Sequence, residues 1–482
     1  MNKIYWLVCL ILFCVQQVSA SNPPATEVRA VWLTTNYGLD WPKNRTDIDT
    51  QKRELIAILD NLKKYNFNTV FFQARTRGEV LYQSTIEPMS SVIAPVRYGQ
   101  ERFDPLAFAI EECHKRGISC HAWIVTYPLG GNKHVQDLGQ RSITKKNPSI
   151  AVKYKNEWFL NPGNPQTDDY LISIVNEIVK NYDVDGVHFD YIRYPDESTR
   201  FPDRAEFNKY GKGKTLATWR RENINRFVTR MYDSVKQIKP WVQVSSAPLG
   251  RYRPLNGKHD GWNALETVSQ DAGYWMKSGK HDALYPMMYY RNQLFFPFAD
   301  DWVVNSNKRI VVPGLGPYQM LELGWPKEDI ENQMQYTREK QMAGQAYFRT
   351  ENVLSNLKGI LFSINDFYKY PAKLPAMTWL SDTLPNSPHD LRAEKVKGIF
   401  QLKWENGDNE RTTYTIYRTD SDDFDIQKAE NIIATGVREE LFEMYVEDND
   451  EAFYYFVTAS DAYNNESVIC HPAFFYHSET EK

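Results

Sequence analysis

The run Asp185-Gly-Val-His-Phe-Asp190-Tyr-Ile-Arg-Tyr-Pro195 constrains the fold more than any other part of this chain, because it reads as a short buried strand ending on an ionisable residue. Side chains alternate along a strand, so Val187 and Phe189 share one face, suited to packing against helices, while Gly186, His188 and Asp190 share the other. In a parallel (β/α) barrel the chemistry sits on inner-face groups at the C-terminal ends of the strands. Asp190 is therefore the first catalytic candidate.

Strand-like and helix-like runs alternate eight times along the chain, which predicts a parallel sheet rather than a sandwich or a bundle. Strands are expected at 28–33, 68–74, 118–125, 186–190, 242–247, 283–289, 310–314 and 345–349. Helices are expected at 53–64, 104–116, 166–181, 216–239, 261–277 and 327–342, with a last helical region over 352–379. In the first of these, Leu55, Ile56, Leu59 and Leu62 recur at helical spacing; the second opens on Asp104-Pro105, a cap and first-turn pair, and stops at Gly117. The excursion 126–165 is too long for a tight turn and suits an active-site loop. The pattern predicts an α/β fold, a (β/α)8 TIM barrel over residues 27–380.

A chain of 482 residues leaves room for a second, smaller domain. Composition shifts at 381–390, where Pro385, Pro388, Asn386 and serines make a linker, and residues 391–478 carry short alternating runs that fit a small all-β sandwich. Trp404, Tyr414-Thr-Ile-Tyr-Arg418 and Tyr454-Tyr-Phe-Val-Thr-Ala459 resemble a fibronectin type III domain. With no carboxylate pair or His cluster standing out, this part is expected to be a spacer or docking module.

Residues 1–20 read as an export signal: Lys3, an apolar run from Ile4 to Val15, then Val18-Ser19-Ala20. The expected location is periplasmic or extracellular; lipid attachment at Cys14 is disfavoured by the bulky Phe13 before it. No later run approaches the ~20 apolar residues of a membrane crossing. Cys113, Cys120 and Cys470 are odd in number without metal-ligand spacing, so buried thiols are expected, with no disulfide framework and no cofactor. The net charge of −4, with charges scattered, argues against a nucleic-acid partner. Aromatic residues reach 14%, with 13 Trp and 30 Tyr; most serve packing, and the excess suits a groove where flat rings stack on sugars.

Several motifs occur together in order: Arg29-Ala-Val-Trp32-Leu-Thr34, the run 185–195, Gln270-Asp271 with Trp275, Tyr285-Pro-Met-Met-Tyr289 and Val312-Pro-Gly-Leu-Gly316. In these the chain resembles the bacterial glycosyl-hydrolase-like family distantly related to family-ten glycoside hydrolases, over roughly 27–380. The resemblance implies a barrel that hydrolyses a glycan, and within that group cell-envelope polymers such as peptidoglycan strands stripped of peptides. The expected fifth strand, 242–248, lacks the Glu of true family-ten enzymes, so their residue roles do not transfer.

Glycoside cleavage needs two carboxyls, one to protonate the leaving oxygen and one to attack carbon or activate water. Asp190 is the expected base or nucleophile, with Arg193 and His188 near in sequence to favour its ionised form, against the plainer reading of a buried ion pair with Arg193. Asp271 and Glu79 compete for the acid; Asp271 is preferred because it belongs to a motif of the resemblance, and its plainer reading is a local cap or ion pair. Alternation adds Gln73, Arg75, His121, Trp123, Tyr285 and Tyr289, with His188 and Arg193, as substrate-shaping groups. Two other readings remain: a non-catalytic glycan-binding barrel, and a metal-dependent deacetylase using His121, His188 and Asp190, against which the spacing argues.

Overall fold

The computed structural model describes residues 23–477 apart from 97–101, 196–199, 256–260, 408–410, 422–423 and 446–450. The expected signal at 1–20 and Cys14 lie outside the described residues. Among those described, no helix is long and apolar enough to cross a membrane.

A curled parallel sheet organises the first 350 residues or so. Val28–Leu33, Thr69–Arg75, Ser119–Val125, Gly186–Asp190, Gln243–Ser246, Ala283–Leu284 and Ile310–Val311 follow one another in chain order, and Gly344–Tyr347 lies on the other side of Val28–Leu33. Gly314–Leu315 pairs with Gly344–Tyr347, while the Gly314 amide donates to Pro286 O at 2.8 Å and the Met288 amide to Gly314 O at 3.0 Å. Residues 310–315 thus reach both edges, and the sheet curls back on itself. Burial on both faces explains the near-continuous apolar strands. Helices cover the outside: Ile48–Lys64 turns Leu55, Leu59 and Leu62 inward and is capped by Asp47, whose carboxylate accepts from the Thr50 amide. Inside the curl sit Ala30, Trp32, Phe71, Trp123, Ala247, Tyr285 and Ala346.

Several expected elements come out shorter. The run 283–289 is strand only at Ala283–Leu284, because Pro286 has no N–H to give the ladder; Pro313 likewise splits 310–315. The expected helix 261–277 is two short ones, Ala264–Thr267 and Ala272–Lys277, each started by its own cap, Asn263 and Asp271. The last region, 352–379, holds Thr350–Leu354 and Ile360–Phe367, broken by Gly359 at φ 83°. The excursion 126–165 is itself structured, with an antiparallel sheet of Pro128–Gly131, Glu157–Leu160 and Ala151–Tyr154.

The C-terminal part is all β. His389–Val396, Ile399–Glu405 and Leu441–Tyr445 form one antiparallel sheet; Ile432–Val437, Thr413–Thr419, Glu451–Ser460 and Ala473–His477 form another, around Phe400, Leu402, Trp404, Ile416 and Val457. This part is tied to the N-terminal ends of the parallel strands. Gly117 at φ 65° and Gly436 at φ 69° lie back to back, and a Cβ on Gly436 would sit 2.7 Å from Gly117 O. Asp185, at the start of its strand, accepts from the Cys120 amide at 2.7 Å, bonds His114 Nε2 at 2.9 Å and faces Arg438 Nη2 at 3.4 Å. Burial would raise its pKa, but His114, Arg438 and the amide outweigh burial and hold the carboxyl below its usual range. Lys373 Nζ reaches Glu466 at 2.7 Å and Tyr417 OH at 3.1 Å. Contacts spread along so many residues suit a fixed support better than a loose spacer.

Gly436→Val should therefore lower the free energy of unfolding by more than about 1 kcal/mol, since it combines a positive φ with a backbone clash across the interface; chemical denaturation checks this.

Candidate functional site

Gly186–Asp190 delivers its last side chain to the rim of the curled sheet. There the chain turns sharply: Tyr191 takes φ 56°, a left-handed conformation rare outside glycine, and its amide donates back to Asp190 Oδ1 at 2.7 Å. Thr126 anchors the same residue through its backbone, the amide at 2.9 Å and the hydroxyl at 2.7 Å from Asp190 O. Only 7% of Asp190 is exposed.

An inner pocket of about 270 Å³ opens over this carboxyl, walled by Trp32, Trp123, Tyr289, Phe348 and Met287, with Thr34, Gln73 and Arg77 as polar members. It runs into an outer cleft of about 850 Å³ through the shared residues Arg77, Pro128, Tyr191, Met287 and Tyr289. The inserted sheet supplies one wall of that cleft, Tyr154, Lys155, Glu157 and Phe159; Arg193, Trp262 and Tyr318 supply others. A hollow lined by rings with few polar groups is suited to a sugar chain.

Burial pushes the Asp190 carboxyl up to about 6; Arg193, the Tyr191 amide and the Trp123 indole pull the other way without overcoming it. Arg193 thus favours the ionised form as expected, but burial outweighs it. His188 contributes no charge: it is fully buried, its pKa is driven well below the ordinary value by desolvation, and its ring bonds Trp32 Nε1 at 3.0 Å and Ser245 Oγ at 2.9 Å. A carboxyl titrating near 6 can give or take a proton close to neutral pH.

The structure brings Asp190, Gln73, Trp123 and Tyr289 to the inner pocket and Arg193 to the outer cleft. Gln73 is held by its carbonyl oxygen, which accepts from the amides of Thr35 at 2.9 Å and Asn36 at 2.8 Å. Arg193 lies over the rings of Tyr191 and Trp262, at 4.7 and 5.4 Å.

Six other residues are placed elsewhere. Asp271 caps Ala272–Lys277, accepting from the Tyr274 amide at 3.3 Å and from Tyr252 OH at 2.7 Å, and is absent from the cleft walls. Glu79 turns to Ser90 at 3.4 Å and His134 at 3.9 Å, its pKa raised by burial against these partners. Arg75 is fully buried and bidentate to Glu87, at 2.7 and 2.6 Å, because a register shift between Gln73 and Arg75 takes it off the inner face. His121, its pKa pushed down to about 4 by burial, bonds Ser119 Oγ at 3.0 Å. It and Tyr285 line a separate cavity of about 100 Å³ at the opposite end, beside Asp185, Arg411 and Arg438. His188 lies stacked on Phe71, ring centroids 4.0 Å apart. His121, His188 and Asp190 therefore do not converge on a metal; among the described residues the one group so spaced is His389, Asp390 and Glu405, exposed on the C-terminal part.

Sequence reasoning passed over Trp32, Arg77, Tyr191, Met287, Phe348, Trp262 and Glu157 as wall residues. For Trp32, Tyr191 and Met287 a signal existed, since each lies in one of the quoted motifs, and Phe348 falls inside an expected strand; Arg77 and Glu157 lie in connections between the expected elements and Trp262 at the start of an expected helix, where no periodicity marks a wall residue.

A model of the family described as glycosyl hydrolase-like 10 matches residues 27–313. A Bacillus subtilis protein named glycosyl hydrolase YngK is 29% identical over 474 residues, 92% of each chain. An Escherichia coli K12 protein named glycosyl hydrolase DigH is 31% identical over 313 residues, 58% of this chain and 70% of that one. Among solved structures, the glycoside hydrolase domain of PgaB (BpsB) from Bordetella bronchiseptica aligns with a TM-score of 0.51 at 15% identity, covering 72% of this chain and 99% of that one, a likeness of fold.

Because the folded-state pKa of Asp190 lies above the ordinary 3.8, its carboxyl weighs against folding once the unfolded chain ionises. Asp190→Asn should stabilise the protein by up to about 3 kcal/mol above pH 6, with the gain shrinking between pH 6 and 4 and gone below; denaturant midpoints across that range check the sign.

Proposed function

This chain belongs to the glycosyl hydrolase-like 10 family, and from that premise we propose that it is an exported glycoside hydrolase acting on a polysaccharide, with Asp190 as its principal catalytic group. The observation that carries the reading is one buried carboxyl, its pKa raised to about 6, in a ring-lined pocket that opens into a cleft of about 850 Å³. Protonated, Asp190 donates to the leaving oxygen; ionised, it takes a proton from water. Of the residues walling the two connected hollows, Glu157 is the other carboxyl, held 3.6 Å from Arg77. It is a better second carboxyl than Asp271 or Glu79, which serve a helix cap and a buried turn. Gln73, Trp123, Tyr289 and Arg193 hold the glycan. The sheet is read as a (β/α)8 barrel over 27–380, counting 310–315 as one strand, followed by a linker at 381–390 and a fibronectin type III-like sandwich over 391–478. Envelope glycan, peptidoglycan strands included, is the substrate class we propose, from the motif resemblance and the expected export signal at 1–20.

Incubation with purified envelope glycans should release reducing ends. Asp190→Asn should lower that rate by roughly 100- to 10,000-fold and Glu157→Gln should lower it too, both without loss of folding. Retention of glycan with no product would turn the reading into a binding module, and chelator-sensitive release of acetate into a deacetylase.

A further inference from the structure

Cys113 and Cys120 are buried free thiols that the proposed chemistry does not use. Cys113 stands in the last turn of the helix Pro105–His114, and Cys120 is the second residue of the strand Ser119–Val125. A tight turn joins them: the Arg116 and Ile118 amides both donate to Cys113 O at 3.0 Å, and Gly117 takes φ 65°. The chain doubles back so closely that the Cys120 thiol hydrogen-bonds the Cys113 thiol. Thiols in direct contact across a short, fixed turn need only a small approach to reach the ~2.05 Å of a sulfur–sulfur bond. Cys470 lies in the C-terminal part, where its sulfur accepts from the Val457 amide at 3.1 Å. The residues enclosed between the two thiols, 114–119, also hold the C-terminal part. His114 Nε2 bonds Asp185, which faces Arg438, and Gly117 lies against Gly436.

We propose that Cys113 and Cys120 close as a disulfide when the chain folds in an oxidising medium, and that the closed loop braces the surface on which the C-terminal part sits. The proposal takes its medium from the export reading, since disulfides persist outside the reducing cytosol. The oxidant is itself a disulfide, of glutathione or of a thiol–disulfide exchange protein. One cysteine thiolate attacks a sulfur of that disulfide and releases the other sulfur as a thiolate; the second cysteine thiolate then attacks the mixed disulfide at the protein's sulfur and releases the remaining one. Two protein thiols are oxidised to one disulfide, the oxidant's disulfide is reduced to two thiols, and the two protons lost by the cysteines end on those thiols. Closure precedes full packing. In the folded chain the Cys113 hydrogen bond, burial and Asp185 push the Cys120 thiol well above its ordinary range, leaving little thiolate to react.

The test refolds the reduced, unfolded full protein in two glutathione buffers, one poised oxidising and one reducing, blocks free thiols by alkylation and digests with trypsin. Lys115 and Arg116 lie between the two cysteines, so the peptides 103–115 and 117–133 should emerge as one linked pair from the oxidised sample and separately from the reduced one. Both cysteines alkylated after oxidising refolding, or either one joined to Cys470, would overturn the disulfide. Hydrogen exchange reads the brace: amides of 114–120 and of Ile432–Val437 should exchange at least about threefold more slowly in the linked form than in the reduced form, and equal exchange would overturn it. Export is read separately, by cell fractionation. A chain retained in the cytosol sinks the export reading, while a linkage formed on oxidising refolding still stands.

Discussion

The withdrawal of one carboxyl from water is the constraint on which the rest of this structure depends. Asp190 ends a strand buried on both faces, so its charge has little solvent to stabilise it and few compensating partners. Those it has are fixed by backbone geometry: the left-handed Tyr191 returns its amide to the carboxylate, and Thr126 pins the carbonyl from the adjacent strand. Held this way, the side chain stays at the rim without the strong counter-charge that would lock it as an anion. That is the condition under which a carboxyl exchanges protons near neutrality.

Below the rim, the interior is built to be inert. His188 and His121 are the histidines of the inner face, and burial keeps both uncharged. They serve as hydrogen-bonding rings, His188 between Trp32 and Ser245 and stacked on Phe71, His121 on Ser119. The far end is closed by the C-terminal part, where Asp185, at the other end of the same strand, meets His114 and Arg438. The two acids of this one strand have opposite fates: at Asp185 the charged partners outweigh burial and hold it below its usual range, and at Asp190 burial outweighs Arg193 and raises it.

Along each inner face the residue nearer the strand's C-terminal end reaches the hollow and the earlier one packs: Trp123 against His121, Asp190 against His188, Tyr289 against Tyr285. Alternation identified the face but treated these pairs alike, because period two carries no information on depth. Arg75 shows a further limit, since the shift of register after Gln73 breaks the alternation that placed it on the inner face. Asp271 shows another: belonging to a shared motif is compatible with a purely local cap.

The sequence by itself determined the succession of strands and helices, the inward and outward faces, and Asp190 at a strand end, because these follow from side-chain period and caps within a few residues. Only the tertiary structure decided that Asp190 is raised rather than stabilised as an anion, that Glu157 lines the outer cleft into which its pocket opens, and that the β part closes the opposite end. These outcomes depend on burial and on partners many tens of residues away, distances over which no local pattern carries information.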